Sequence, residues 1–337
     1  MSSPHVLLVT HSKDDAMARI VGDAVAAKGG LPHRLNTDRF PESLRLVLRQ
    51  RPGGPARRFA LSGEGGEIDL DSIEGVWYRR VASPALLDVD ETYREICRKE
   101  SRTVLMSLFA SLRGARWIDP IPRVHLAHHK VLQLEVARSI GLATPDTLTT
   151  NDPRAVQDFF DEHGGRIVTK MMHSFQIDGP EGEQAFYTKP VGEDDLARLG
   201  GLRFCPMVFQ EYVAKDVELR ISAVGDRLFA ASIDSQTSEV GKHDWRLDGL
   251  GLAGKFQPYV LPQDVESGLR ALMRAYGLVY GAIDMIRTPD GRHVFLEINS
   301  AGEWGWLQMQ VGLPIADALA DVLVGRVPVD RPAPTLF

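Results

Sequence analysis

Two apolar runs near the carboxyl end of the chain, YGAIDMIRT and RHVFLEINS, constrain the fold more than any other feature of the sequence. The dipeptide Asp290-Gly291 separates them and is a strong signal for a tight turn between paired strands. Pairing as a hairpin would bring Asp284 close to Glu297 and Asn299. The last two residues are two positions apart and therefore share one face of their strand.

The side chains of this hairpin have the chemistry of a magnesium site. Two carboxylates and an amide oxygen are hard oxygen ligands, and magnesium takes such ligands together with water or phosphate oxygens. The alternative is a polar sheet face exposed to solvent. We favour the metal site at Asp284, Glu297 and Asn299, because both carboxylates lie within strongly apolar runs, where an unpaired charge is costly.

The first third of the chain alternates strand-like and helix-like segments. The run HVLLVT is followed by an amphipathic segment that stops at a double glycine, and GVWYRR is followed by a long amphipathic helix ending at Gly114. This alternation predicts an α/β layer architecture. Between the two units, RQRPGGPARRFALSGEGGEIDL is rich in Gly, Pro and Arg, and predicts a loop or hairpin insertion.

The pattern changes from Trp117 onward. A helix beginning near His128 stops at Gly141, and a second helix stops at Gly164-Gly165, which together predict a small linker domain. Strand-forming runs follow and predict a central antiparallel sheet. We expect three regions, an N-terminal α/β domain at 1–116, a central domain at 117–190 and a C-terminal domain at 191–337.

Composition bounds the classes of partner. The 337 residues carry 39 Lys and Arg against 45 Asp and Glu, so the net charge of −6 gives no electrostatic reason to expect nucleic acid or an anionic membrane. Cys97 and Cys205 fit neither a disulfide framework nor a zinc spacing. Without a signal-peptide core or an apolar run of about 18 residues, we expect a cytoplasmic protein.

Several further residues have the chemistry to bind a nucleotide. Lys130 and Lys170 could meet phosphates, although a lone lysine is usually only solvated. In FQEYVAKDVELRI, an extended run could offer backbone groups to an adenine edge, Glu218 could accept from ribose hydroxyls and Arg220 could grip phosphate. The alternative for this segment is an exposed strand.

Taken in order, these residues resemble the ATP-grasp ligases. The motifs WYRR, WIDP, HHKVLQLEVARSIGLATPDTL, DWR and LEINSAGEWGWLQMQVGLPIADALADVL resemble more narrowly the macrocyclising ligases that make graspetides, of the microviridin and plesiocin type. Within the last motif, Glu303 and Gln308 depart from the microviridin-type pattern. The resemblance covers nearly the whole chain.

The resemblance implies an ATP-grasp fold of α/β (α+β) class, with ATP held between the central and C-terminal sheets. Asp284, Glu297 and Asn299 would hold Mg²⁺, and Glu218 would take the ribose. The remaining ATP contacts implied by family position are two lysines for phosphates and the adenine side and a four-residue adenine hinge, namely Lys130, Lys170, Gln210, Glu211, Tyr212 and Val213.

The implied reaction activates a side-chain carboxylate of a ribosomally made precursor peptide as an acyl phosphate. A Thr or Ser hydroxyl then forms an ω-ester, or a Lys amine an ω-amide. Arg220 and Arg246 are candidates to hold the phosphoryl group and the acceptor carboxylate, since guanidinium matches both. Asp244 either orients or deprotonates the attacking hydroxyl or forms an ion pair with Arg246, and His243 is an alternative base.

Three hypotheses for the function remain open from the sequence. The first is a graspetide macrocyclase acting on a peptide with a leader and a Thr/Glu-rich core, which the resemblance implies to be a homodimer. The second is an ATP-grasp ligase that adds a free amino acid to a protein tail or a small acid. The third is a nucleotide-binding regulator without ligase activity.

Overall fold

The N-terminal region is built on a parallel sheet. The computed structural model describes residues 3–49, 52–53, 57–62, 66–172, 176–179, 182–185, 187–239, 241, 244–248, 251–329 and 331. The parallel sheet has the strand order β2-β1-β6-β7, and β3, β4 and β5 form a separate antiparallel sheet. The elements are β1 (His5–Thr10), α1 (Asp15–Ala27), β2 (Leu31–Asn36), β3 (Leu44–Arg49), β4 (Arg57–Ser62), β5 (Gly66–Asp69), β6 (Ile73–Tyr78), α2 (Glu91–Ser111) and β7 (Arg116–Ile118).

This region confirms the predicted alternation of strands and helices. The Gly/Pro/Arg-rich insertion forms a β4–β5 hairpin that pairs with β3. The long helix α2 begins after Asp90, whose side chain accepts a hydrogen bond from the backbone N–H of Thr92, and it ends at Ser111, three residues before the glycine that predicted its end.

The middle of the chain carries the first of two antiparallel sheets that flank the site. Its strand order is β12-β9-β13-β8. Since β13 lies beyond residue 190, this sheet crosses the expected domain boundary. The elements are α3 (Ile121–Ala127), α4 (Lys130–Ser139), β8 (Thr147–Thr150), α5 (Pro153–Glu162), β9 (Ile167–Lys170), β10 (Gln176–Gly179), β11 (Gly182–Ala185), β12 (Lys189–Pro190), α6 (Glu193–Leu196) and β13 (Met207–Glu211).

The C-terminal sheet has the order β16-β15-β14-β17-β18 and is antiparallel throughout. The sequence predicted one central antiparallel sheet, and the structure divides those strands between two sheets. The elements are β14 (Val217–Val224), β15 (Arg227–Ile233), β16 (Gln257–Pro258), α7 (Gln263–Tyr276), β17 (Tyr280–Arg287), β18 (His293–Asn299), α8 (Gly305–Val311) and α9 (Ile315–Leu323).

The predicted hairpin is β17–β18. Gly291 adopts a φ of +88°, a conformation that glycine accepts without a steric penalty, and the turn is closed by the N–H of Thr288 donating to the carbonyl of Arg292 at 2.9 Å. One face of the sheet packs on α7 and α4 in an apolar core that includes Leu269, Ile283 and Phe295.

The chain returns to its N-terminal region at the end. Helix α9 packs against α1 in a second core that joins Val21 and Leu319, both fully buried. This packing fixes the C-terminal sheet relative to the parallel sheet. Within the described residues, no helix has the length and apolarity needed to cross a membrane.

Candidate functional site

A cavity of about 690 Å³ lies where the two antiparallel sheets face each other. It brings together residues from every predicted group of the site. Those residues are Lys130, Lys170, Gln210, Glu211, Tyr212, Val213, Glu218, Arg220, Asp244, Arg246, Asp284, Glu297 and Asn299.

The strand register brings the three predicted metal ligands together. Asp284 in β17 is directly opposite Glu297 in β18, and Asn299 is opposite Ala282, two pairs along the ladder. The Nδ2 of Asn299 donates to Oε1 of Glu297 at 2.8 Å. The predicted adjacency of these side chains is therefore present in the fold.

Two cations neutralise the carboxylate of Glu297. The Nζ of Lys130, at the first residue of α4, lies 3.4 Å from Oε2 of Glu297 and donates to Oδ1 of Asn299 at 2.7 Å. Burial by itself would raise the pKa of Glu297, but Lys130 and Lys170 together with the Asn299 hydrogen bond hold it well below its usual range. Glu297 is therefore ionised at neutral pH.

Lys170 is the second lysine of the site, and it is half-buried. It ends β9, which faces β18 across the cavity, and burial lowers its pKa while Glu297 opposes that shift. A bound polyanion would stabilise its charged form.

Asp284 has its own cation. Arg220 in β14 is opposite Asp284 in the ladder, and its Nη1 donates to both carboxylate oxygens, at 2.8 and 2.9 Å. Its Nη2 donates to the backbone carbonyl of Glu303 at 2.8 Å. The Arg220 side chain is only 11% exposed and forms an ion pair with Asp284. The sequence had suggested a contact with phosphate or with the acceptor carboxylate.

The donor set fits a magnesium ion by its chemistry. Two carboxylates and one amide oxygen face the cavity, and Glu297 is held in its ionised form. Across the described residues there is no group of three or more His, Cys, Asp or Glu side chains able to hold a metal. A metal at this hairpin would therefore depend on ligands from a substrate or water for the rest of its shell.

The predicted adenine-hinge and ribose residues also line the cavity, and Gln210 and Glu218 have polar partners there. The buried Gln210 donates from Nε2 to Oγ1 of Thr147 at 2.9 Å, which fixes β13 to β8. Lys215 lies 2.9 Å from Oε1 of Glu218. Burial raises the pKa of Glu218, and Lys215 opposes that shift.

Asp244 and Arg246 lie on a short turn at the open side of the cavity. The Nε of Arg246 donates to Oδ1 of Asp244 at 2.8 Å and its Nη2 to Oδ2 at 2.5 Å, and these hydrogen bonds raise the pKa of Arg246. Asp244 is 4% exposed. Of the two roles considered for Asp244, the ion pair is the one present in the structure.

Some predictions concern residues that the structure does not describe. His243, the alternative base, lies outside the described residues. Residues 173–175, 180–181 and 186, which flank β10 and β11 in the chain, also lie outside the described residues.

Sequence reasoning missed the residue that fixes β18, the strand that carries Glu297 and Asn299. Gln133, fully buried in α4, accepts from the N–H of Ile298 at 2.9 Å and donates to its carbonyl at 2.8 Å. This pair of bonds holds β18 against α4 and hence Lys130 beside Glu297. Its only signal in the sequence was a polar residue on the apolar face of a helix.

The cavity also has an aromatic wall. Trp304 is fully buried, whereas Trp306 lines the cavity and contacts Trp245 and Phe256 at centroid distances of 5.1 and 4.2 Å. Arg80 and Glu303, which the sequence did not assign to the site, also line the cavity.

Comparisons with known proteins agree with this geometry. Residues 5–125 match the family described as the MvdD pre-ATP grasp domain. The macrocyclase MdnC from Microcystis aeruginosa, solved with its precursor peptide MdnA, is 40% identical, with 95% of this chain and 99% of that chain covered at a TM-score of 0.85. The chain belongs to the ATP-grasp peptide macrocyclases.

Two other relatives extend this result. The RiPP-associated ATP-grasp ligase of Chryseobacterium gregarium, solved with ADP and with leader and core peptides, is 33% identical over 98% of this chain and 99% of its own, with a TM-score of 0.92. The probable α-L-glutamate ligase 2 of Shewanella amazonensis is 28% identical over 58% of this chain, and the match spans 62% of that ligase. The predicted ATP-grasp fold and the ligase class are confirmed, which favours the two ligase hypotheses over the regulator.

Proposed function

We propose that this macrocyclase phosphorylates Glu or Asp side-chain carboxylates of a ribosomally synthesised precursor peptide and joins them to Thr or Ser hydroxyls or to Lys amines, releasing ADP and phosphate. The observation that carries the proposal is that a hinge strand, two lysines, two carboxylates and a paired arginine converge on one cavity. ATP-dependent peptide ligation is the reaction class of the family.

The nucleotide would extend through the cavity from the adenine-hinge residues to the β17–β18 hairpin. Gln210, Glu211, Tyr212 and Val213 border the adenine end, and Glu218 is placed to accept from ribose hydroxyls. The triphosphate would then extend toward Lys130 and Lys170. The lowered pKa of Lys170 supports this placement, because a phosphate would add negative charge beside an ammonium that burial destabilises.

Asp284, Glu297 and Asn299 would hold Mg²⁺. Bound there, the ion would neutralise the charge on the phosphate oxygens during transfer. Arg220 orients the Asp284 carboxylate, and Lys130 is within reach of both the ligand oxygens and the cavity. These cations hold the carboxylates in position.

Carboxylate activation needs little covalent chemistry from the protein. A carboxylate oxygen of the peptide attacks the γ-phosphorus, the bond to ADP breaks, and an acyl phosphate results. The hydroxyl or amine then attacks the carbonyl carbon, phosphate leaves, and the nucleophile loses its proton. Positioning and charge neutralisation account for most of the catalysis in such a sequence of steps.

Arg246 is the proposed ligand of the acceptor carboxylate. Its side chain is 47% exposed at the cavity, whereas that of Arg220 is 11% exposed and is bound to Asp284. Asp244 holds the guanidinium in a fixed orientation. An arginine held in this way can present its remaining N–H groups to a carboxylate.

Two relatives support a peptide substrate. MdnC was solved with the precursor MdnA, and the Chryseobacterium ligase with leader and core peptides. The partial match to a glutamate ligase supports the second candidate, transfer of a free amino acid.

A cytoplasmic location is supported by the absence of a disulfide at Cys97 or Cys205. We retain a homodimer as part of the proposal.

One incubation separates these candidates. Purified protein, ATP, Mg²⁺ and a precursor peptide with a leader and a Thr/Glu-rich core are expected to give products lighter by about 18 Da, one water, for each bond formed through an activated carboxylate. An unchanged peptide, with a free amino acid added to an acid in the presence of ATP, would favour the second candidate. A reaction without ATP is the control.

A further inference from the structure

The motif WYRR contributes two arginines that the proposed chemistry does not use. Arg79 follows β6 and is 4% exposed. Its Nε donates to Oδ2 of Asp14 at 2.8 Å, and Asp14 is held in turn by the hydroxyl of Thr10 at 2.7 Å. Arg79 is therefore fixed to the parallel sheet of the N-terminal region.

Both arginines meet the same carboxylate. The Nη2 of Arg79 lies 2.6 Å from Oε2 of Glu303, and the Nη1 of Arg80 lies 3.1 Å from Oε1. Glu303 belongs to the segment that follows β18, and its side chain is 40% exposed at the cavity wall. One glutamate thus ties the N-terminal region to the wall of the site.

The segment carrying Glu303 contacts Arg220 closely. The backbone carbonyl of Glu303 accepts from Nη2 of Arg220, and the carbonyl of Gly302 accepts from the hydroxyl of Tyr280, both at 2.8 Å. A Cβ on Gly302 would lie 2.4 Å from Cβ of Ala282 and 2.9 Å from Nη2 of Arg220. This close packing means that the segment and the Arg220 guanidinium cannot move independently.

The contacts form a continuous path from the N-terminal sheet to a predicted metal ligand. It runs from Arg79 through the side chain and backbone of Glu303 to Arg220, and from there to Asp284. Mutation of a group that orients a metal-binding carboxylate typically lowers metal affinity by about 10–100-fold.

We propose that Glu303 is a positioning residue for the metal: its ion pairs with Arg79 and Arg80 fix the 300–304 segment, which sets the position of Arg220 and hence of the Asp284 carboxylate. Glu303 touches neither nucleotide nor metal in this scheme. The proposal rests on the proposed function, because it assumes that Mg²⁺ and nucleotide share the cavity.

The test measures ADP binding by calorimetry, in Mg²⁺ and in EDTA, for wild type and Glu303→Gln. The gain in affinity that Mg²⁺ provides is expected to fall by about tenfold in Glu303→Gln, because the orientation of Asp284 is lost. The affinity in EDTA is expected to stay unchanged. Glu303→Asp, which keeps the charge on a shorter side chain, is expected to lose less of the gain.

Lys28→Gln is the matched control. Lys28 also joins the N-terminal region to the C-terminal one, through ion pairs of 2.7 Å with Asp317 and Asp321 in α9, and its side chain is 11% exposed. Within the described residues its ion pairs run to α9 and not to Arg220, so its removal should lower the melting temperature and leave the Mg²⁺ gain at the wild-type value.

The outcomes are distinct. The positioning role is overturned if Mg²⁺ raises the ADP affinity of Glu303→Gln as much as it raises that of wild type. It is also overturned if Lys28→Gln loses as much of this Mg²⁺-dependent gain as Glu303→Gln does. If Glu303→Gln does not fold, Glu303→Asp decides, since a lowered gain supports the role and a wild-type gain overturns it. A wild-type protein that binds no ADP, or binds it equally in Mg²⁺ and EDTA, would instead contradict the proposed function.

Discussion

The Nη1 of Arg220 donates to both carboxylate oxygens of Asp284, at 2.8 and 2.9 Å. A buried charge is tolerated when a hydrogen-bonded partner of opposite sign accompanies it. The fold supplies such a partner to each carboxylate of the hairpin, Arg220 to Asp284 and Lys130 to Glu297. Each carboxylate is therefore paired with a cation inside the cavity, and two carboxylates held in this way are suitable ligands for a hard cation.

Glu297→Gln is expected to reduce ADP formation by at least about a hundredfold, because a neutral amide binds a divalent cation more weakly than a carboxylate does and cannot balance the charge of the two lysines. The near-UV circular dichroism spectrum should stay unchanged, since Gln has nearly the same shape. Glu100→Gln, on the exposed side of α2, is the control for removal of one negative charge. Normal ADP formation in Glu297→Gln would contradict the metal assignment.

Asp244→Asn distinguishes orientation from base catalysis. If Asp244 only holds Arg246, the variant should raise the KM for the peptide and leave the shape of the pH profile of kcat as in wild type. Loss of a general base would instead lower kcat by about 10²–10⁴-fold and remove a limb of that profile. Steady-state kinetics across pH, measured by ADP release, decide between the two.

Glu218→Gln tests recognition of the ribose. Wild type is expected to bind ADP about tenfold more tightly than 2′,3′-dideoxy-ADP, because a hydrogen bond to a charged acceptor is lost with the hydroxyls. The variant should bind both nucleotides with nearly the same affinity. Glu266→Gln, on α7 away from the cavity, should retain the wild-type ratio. A retained ratio in Glu218→Gln would contradict the ribose assignment.

Asp119 makes stability depend on pH. Its carboxylate accepts from the backbone N–H groups of Val279 and Tyr280 at 2.6 and 2.9 Å, and burial raises its pKa to about 7. Because an unfolded Asp titrates near pH 4, the native protein holds one more proton than the unfolded chain between about pH 4 and 7. The free energy of unfolding therefore falls as pH rises through that window.

The measurement is the free energy of unfolding in urea from pH 4 to 8. The stability of wild type relative to Asp119→Asn should fall across the window by up to about 4 kcal/mol and level off above pH 7. Asp23→Asn, on the exposed face of α1, should show no such trend. A difference that rises with pH would show that hydrogen bonding outweighs burial at Asp119.

The β17–β18 hairpin was predictable because its signals are local. Asp290-Gly291 specifies the turn, the turn sets the register, and the register places Asp284 opposite Glu297. The motif order identified the fold family for the same reason, since each motif is a short run of adjacent residues.

The division of the strands was not predictable from the runs themselves. The runs of β9 and β13 have the same strand character as those of β14 and β15. Yet β9 and β13 join one sheet with β8 and β12, whereas β14 and β15 join another sheet with β16 and β17. Strand propensity reports that a segment is extended and says nothing of its partner.

The sequence by itself determined the local elements, the hairpin with its carboxylates and the membership of the ATP-grasp ligases, because these depend on residues a few positions apart. Only the tertiary structure decided that Arg220 is bound to Asp284, that Asp244 is bound to Arg246 at the cavity, and that Glu303 meets Arg79. Arg79 and Glu303 are more than two hundred positions apart in the chain. Their contact depends on how α9 packs the C-terminal sheet against the N-terminal one, which no periodicity or spacing encodes.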